Sequence, residues 1–154
     1  MSGQPQAPPW IAFDVSGLSV TEVAPSLAPV TIVPQNGSFV LSAKFAIDYV
    51  FGKGLNDLIV AGLPVFEYNI SYYAESIGPG TEWSGAPPAL SCIAGQYTYD
   101  APQTSLTVSA MSLTPGVYRI TSVVKMSPRG GGSGGFPFHV VGFAEGPMIE
   151  IYQP

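Results

Sequence analysis

The sequence predicts an all-β protein, a sandwich of two mainly antiparallel sheets with about seven to nine strands. Three observations carry that expectation. Sixteen prolines and eighteen glycines cut the 154 residues into short pieces, and no piece of helical length keeps a 3.6-residue apolar period. Within the pieces, apolar and polar residues alternate with the two-residue period of a strand whose faces see different surroundings. Several strands, each with one apolar face, bury those faces by packing as two sheets. The length suits one domain and a core that hides roughly two-thirds of the unfolded chain's surface.

Taken in order, residues 1–9 read as a flexible N-terminal tail and 10–154 as a single sandwich domain. The tail has neither the basic nor the apolar region of a classical signal peptide, which leaves a cytoplasmic protein and a processed extracellular or particle-surface protein both open. Trp10 to Val15 and Val30 to Val33 are short, proline-bounded strands suited to sheet edges. Ser38 to Val50 is the clearest strand: Phe39, Leu41, Ala43, Phe45, Ile47 and Tyr49 share one parity, and Ser42, Lys44 and Asp48 the other. At about 3.3 Å per residue it would run roughly 40 Å, so a bulge or bend is expected within it. In Pro64 to Glu75, Phe66, Tyr68, Ile70 and Tyr72 point inward. Residues 75–103 read as a long connection, broken by Gly78-Pro79-Gly80 and Ala86-Pro87-Pro88, with one short strand around Ser91 to Tyr99.

Thr104 to Met111 is a further strand, using Leu106, Val108 and Ala110. After a Pro115-Gly116 turn, Val117 to Met126 places Tyr118, Ile120, Val124 and Met126 inward, with Arg119, Thr121 and Lys125 opposite. Phe136 to Phe143 and Met148 to Tyr152 complete the set. Between them and the preceding strand lies a glycine-rich loop, 129–135, of Arg129 and then Gly130, Gly131, Gly132, Ser133, Gly134 and Gly135. Having almost nothing to pack, it reads as a flexible hairpin loop. Ordering on a partner and a tolerated insertion are the alternatives. It is no phosphate loop, because a strand rather than a helix follows it.

The segment Leu113-Thr114-Pro115-Gly116-Val117-Tyr118-Arg119-Ile120 resembles the start of the penultimate strand in immunoglobulin-like and fibronectin-like domains. The resemblance covers roughly 105–141. It implies an immunoglobulin-like sandwich in which Tyr118 packs at a corner and bonds to backbone. The antibody-type Cys…Trp…Cys arrangement is absent, since Cys92 has no mate and neither Trp10 nor Trp83 sits in a central strand. A superfold with many functions informs architecture more than activity.

Composition narrows the function classes. Charged residues are only 10% of the chain, against roughly 25% in ordinary soluble domains. Net charge is -5, and the five Lys and Arg are scattered, which argues against nucleic acid as a partner. No apolar run reaches bilayer-spanning length. No cofactor is implied. Zinc would need several converging ligands, yet His139 is the only histidine and Cys92 the only cysteine; Asp57, Glu75, Glu82 and Asp100 form no compact calcium loop. Cys92 reads as a buried small hydrophobe. Glu67 with Glu75 would be a hydrolytic carboxylate pair only at suitable separation. Asn36-Gly37-Ser38 and Asn69-Ile70-Ser71 match the glycosylation acceptor pattern, a short motif that matters only in a secretory pathway.

What remains is surplus apolar surface. Val65, Tyr73, Val123, Val141 and Phe143 fall on the second parity of their strands, and Trp10, Trp83, Ile149 and Ile151 join them as candidate contact residues. The two terminal strand segments are also candidates for addition to a neighbour's sheet edge. The reading is a non-catalytic structural or assembly module, with itself or another protein as partner, forming homo-oligomers or filaments. The alternative is a carbohydrate- or protein-binding module using loop aromatics such as Trp83.

Overall fold

A computed structural model describes residues 11–49, 66–93, 96–128 and 140–154. The strands run β1 (Ile11–Thr21), β2 (Ile32–Pro34), β3 (Ser38–Tyr49), β4 (Phe66–Ser76), β5 (Trp83–Gly85), β6 (Leu90–Ser91), β7 (Thr98–Tyr99), β8 (Leu106–Ser109), β9 (Gly116–Pro128) and β10 (Val140–Tyr152). They form an immunoglobulin-like sandwich. A four-stranded sheet has β1 and β3 side by side, with β7 and β8 sharing the far edge of β3; the six-stranded sheet has the order β2-β10-β9-β4, with β5 and β6 sharing the far edge of β4. All pairings are antiparallel except β2 with β10.

The alternating residues explain the core. Phe39, Leu41, Ala43, Phe45 and Ile47 of β3 face Tyr68, Ile70, Tyr72 and Ala74 of β4 and Tyr118, Ile120, Val124 and Met126 of β9, all buried. Phe45 is central: its ring stacks on Tyr99 with centroids 4.8 Å apart and meets Tyr68 edge-on at 5.0 Å and Phe13 at 5.7 Å. Tyr118 makes the corner that the resemblance implies, its hydroxyl donating to the Thr114 carbonyl at 2.7 Å.

Several expectations need correction. Ten strands are present among the described residues because the 75–103 stretch contains β5, β6 and β7, each too short to show periodicity. Thr104 to Met111 is a strand only over Leu106–Ser109, after which Ala110–Ser112 turn as a 3-10 helix. The bulge expected in the long strand lies in its partner: between Ser16 and Ser19 β1 carries one residue more than β3. Gly17, at φ +58°, supplies the left-handed residue that such a bulge uses. Val140 through Tyr152 form one continuous strand where two were read, with a second bulge between Glu145 and Met148. Pro147, which cannot donate to a ladder, is tolerated at that irregularity. The glycine-rich loop, residues 136–139 and the N-terminal tail lie outside the described residues.

Two local devices close the sandwich. Gly142 lies inward on β10, where an added Cβ would sit 2.6 Å from Val15 Cγ2; the missing side chain lets β1 approach. On β3, Leu41 pairs with β8 and Phe45 with β7, which leaves Ala43 opposite the loop between them. The Thr104 side chain fills this gap, donating to the Ala43 carbonyl at 2.6 Å and accepting from the Ala43 N–H at 3.3 Å. Tyr72, from the other sheet, donates to the Thr104 carbonyl. Thr104 thus replaces a strand residue in the ladder and ties the sheets together.

Replacing Thr104 by Val, similar in shape but without the hydroxyl, should leave two buried backbone groups unpaired. The expected cost is about 1–3 kcal/mol, read as a lower urea midpoint, and Thr104→Ser should lose less than Thr104→Val.

Candidate contact face on the six-stranded sheet

The register of β10, β9 and β4 fixes which outward side chains are neighbours. Phe143 lies opposite Val123, which lies opposite Ser71; one step along the sheet, Glu145, Thr121 and Tyr73 form the next outward row. Val141 precedes Phe143 on the same face, opposite Lys125. The sequence candidates Tyr73, Val123, Val141 and Phe143 therefore share one surface. Tyr73 is 40% and Phe143 43% exposed, and Val123 and Val141 are half-buried. Side chains directly opposite on antiparallel strands stand about 5 Å apart, so Phe143 and Val123 form a continuous apolar spot.

Beyond the second bulge the face continues. Met148 lies opposite Arg119, itself opposite Glu75; Glu150 lies between Ile32 and Val117; and Tyr152 lies beside Pro34. The Ile77 N–H donates to the Val117 carbonyl, extending that row. Ile32, Ile77, Val117, Met148 and Tyr152 are all exposed; Ile32, Ile77 and Val117 are not among the sequence candidates, and Met148 and Tyr152 enter there only as the ends of a segment suited to strand addition. The usable signal was Gly146-Pro147 in mid-strand, which marks the bulge. The face is not wholly apolar: Glu67, Glu75, Glu145, Glu150, Arg119 and Lys125 lie among these residues.

The outer face of the four-stranded sheet is different in kind. Its outward positions hold Asp14, Ser16, Ser19, Ser42, Lys44, Thr98, Thr107 and Ser109, with Ala46 and a half-buried Val40 among them, and the Ser19 and Ser42 hydroxyls are bonded at 2.8 Å. Among the described strand residues, the exposed large apolar side chains thus gather on the outer face of the six-stranded sheet, and the outer face of the four-stranded sheet offers only the half-buried Val40.

Other candidates take different places. Ile149 and Ile151, read as contact residues, are each 1% exposed and belong to the core. The one-residue bulge switches parity, so inward positions change from Gly142 and Ala144 to Ile149 and Ile151. The terminal segments proposed to add to a neighbour's sheet are used at home: Met148 to Tyr152 pairs with β9, and its last residues also pair with β2, while Ile11 to Val15 pairs with β3. Trp83, on β5 opposite Ala74, is half-buried and packs against the core, where its ring would meet a Cβ on Gly85 at 2.6 Å. Trp10, Val65, Gly130 to Gly135, His139 and Asp57 lie outside the described residues.

No group of three or more His, Cys, Asp or Glu converges as metal ligands among the described residues. Glu67 and Glu75 stand on one face of β4, roughly 26 Å apart at 3.3 Å per residue, far beyond the ~5–9.5 Å of glycosidase pairs. No described helix is long and apolar enough to cross a membrane. No protein-family model, curated protein or solved structure matches the chain.

Cys92 is buried beside Tyr68 and Tyr99. Burial pushes its thiol up to about 11, partly offset by a hydrogen bond with Tyr99, and pushes the Tyr99 hydroxyl to about 12. A nucleophilic or metal-binding cysteine needs a lowered value; this one is held protonated.

The fold favours the neutral thiol, so its contribution is intact below the ordinary value of 9.0 and is lost as pH rises towards about 11. Unfolding free energies from urea titrations should therefore fall more steeply between those pH values in the wild type than in Cys92→Ala, by up to about 2–3 kcal/mol. Equal slopes would mean that Cys92 ionises as freely folded as unfolded.

Proposed function

We propose that this protein is a non-catalytic structural or assembly module whose copies associate through the outer face of the six-stranded sheet, building homo-oligomers or filaments. The observation that carries the reading is the contrast between the two outer faces. Tyr73, Val123, Val141 and Phe143 adjoin on one, whereas the described positions of the other present Ser, Thr, Asp and Lys around the half-buried Val40 and Ala46. Exposed aromatics are the usual anchors of protein contacts, because burying them gains apolar area, and Glu67, Glu75, Arg119, Lys125, Glu145 and Glu150 supply charged groups around them on the same face. With only 10% charged residues, little long-range repulsion opposes the approach of a second copy.

Size-exclusion chromatography with light scattering across a concentration series tests the reading. The wild type should gain mass with concentration. Phe143→Glu and Val123→Lys should each weaken association about tenfold or more without lowering the melting temperature, and Thr107→Lys on the opposite face should leave association unchanged. A wild type that stays monomeric at every concentration, or a Thr107→Lys effect equal to that of Phe143→Glu, would overturn the proposal.

A further inference from the structure

The turn between β2 and β3 combines a reactive pair with a restraint. Asn36 is exposed and is followed by Gly37. Glycine has no side chain to shield its own amide nitrogen, so ring closure from that nitrogen onto the Asn36 side-chain carbonyl carbon meets little steric opposition. Asn69, by contrast, stands within β4 and precedes the β-branched Ile70.

The turn is also lashed down. The Gly37 N–H donates to the Pro34 carbonyl at 2.8 Å, the Gln35 N–H to the Tyr152 carbonyl at 2.8 Å, and the Ala110 N–H to the Gly37 carbonyl at 3.0 Å. The Gln35 side-chain Nε2 donates to the Leu113 carbonyl at 3.2 Å. The nitrogen that would attack is therefore the one whose proton is held inside the turn. Attack requires that bond to open and the chain around Asn36 to rotate.

We propose that Asn36 is a spontaneous modification site, deamidating to aspartate and isoaspartate at a rate gated by opening of the 34–37 turn. In the first step the Gly37 nitrogen bonds to Asn36 Cγ and the Cγ–Nδ2 bond breaks. The Gly37 amide proton passes through water to the departing nitrogen, which leaves as ammonia. Water then opens the resulting succinimide at either carbonyl, with no oxidation or reduction. Either product puts a carboxylate into an open depression of about 320 Å³ lined by Gln35, Asn36, Met111, Gln153 and Pro154, which has no charged side chain in its lining. The isoaspartate product also adds a carbon to the main chain just ahead of Phe39, the first buried residue of β3.

The test is to incubate the full chain at neutral to mildly alkaline pH, with and without denaturing urea, and to follow Asn36 and Asn69 by peptide mass mapping with isoaspartate detection. Asn36 should convert in urea and about tenfold or more slowly when folded, as a local opening cost of about 1.4 kcal/mol or more requires. Asn69 should stay intact in both. Gln35→Ala, which removes one tether, should speed conversion of the folded chain and leave the rate in urea unchanged. Equal wild-type rates folded and unfolded, or no conversion of Asn36 in urea, would overturn the proposal, and this comparison stands whether or not Gln35→Ala folds.

Discussion

Phe45 touches rings from both sheets: Phe13 on the neighbouring strand, Tyr99 at the far edge of its own sheet and Tyr68 across the interior. Tyr68 and Tyr99 also meet directly, with centroids 5.0 Å apart. Antibody-like sandwiches cross-link their sheets at the centre with a disulfide; here the only cysteine is a free buried thiol. The cohesion that a covalent bond would supply comes instead from aromatic area and ring geometry, where each well-oriented pair adds about 0.5–1.5 kcal/mol beyond simple burial. Around that centre lie two polar ties that no ring contact could replace, Tyr72 to Thr104 between the sheets and Tyr118 to Thr114 at the corner. Both use a tyrosine whose ring is in the core and whose hydroxyl reaches backbone. A buried hydroxyl is thereby satisfied and a loop is fixed by the same group. Among the described residues Ser122 is the exception, a buried hydroxyl without a partner, set beside Ala144 of β10 and Tyr72 of β4 by the register.

Packing this dense demands places where the backbone can come close or turn aside. Gly142 permits contact with Val15 and Phe13, and a Cβ on Gly146 would meet Leu18 at 2.7 Å. Both glycines stand on β10 opposite β1, so the two strands approach through side chains of one and the bare backbone of the other. The two bulges act on the same corner. Gly17 lets β1 keep Phe13 and Val15 inward before the irregularity and Val20 inward after it. Gly146-Pro147 does the corresponding work for β10.

That second bulge explains both what sequence reading recovered and where it failed. Strict alternation correctly predicted the inward faces of β3, β4 and β9 over the residues whose side chains are described, which leave out Tyr49 and Phe66, because each strand runs without an inserted residue over its buried positions. It also placed Tyr73, Val123, Val141 and Phe143 on second parities, and pairing of β4, β9 and β10 brings those parities to a single face. Alternation carries no information across an inserted residue. Counting through Gly146-Pro147 would keep Ile149 and Ile151 in phase with Phe143, whereas the extra residue turns them inward and puts Met148, Glu150 and Tyr152 outside. Thr104 was illegible for a related reason: it stands in for a strand residue through its side chain, an arrangement that depends on two short strands leaving a gap.

The same geometry bears on how the chain presents itself. Edge strands invite unwanted pairing when they are long and open. Here the edges of the six-stranded sheet are the short β2, β5 and β6, and the four-stranded sheet ends in the short β7 and β8 on one side. The long edge strand, β1, is bent by its bulge and carries polar outward residues at Asp14 and Ser16. Backbone pairing is thus discouraged at most borders, while the broad outer face of β10, β9 and β4 keeps exposed tyrosine, phenylalanine and methionine. Under the proposed association, guarded edges and an unguarded face favour side-chain contact between faces over strand addition. Such contact depends on which residues the register brings together, so one inserted residue in β10 governs the composition of that face as well as the composition of the core behind it.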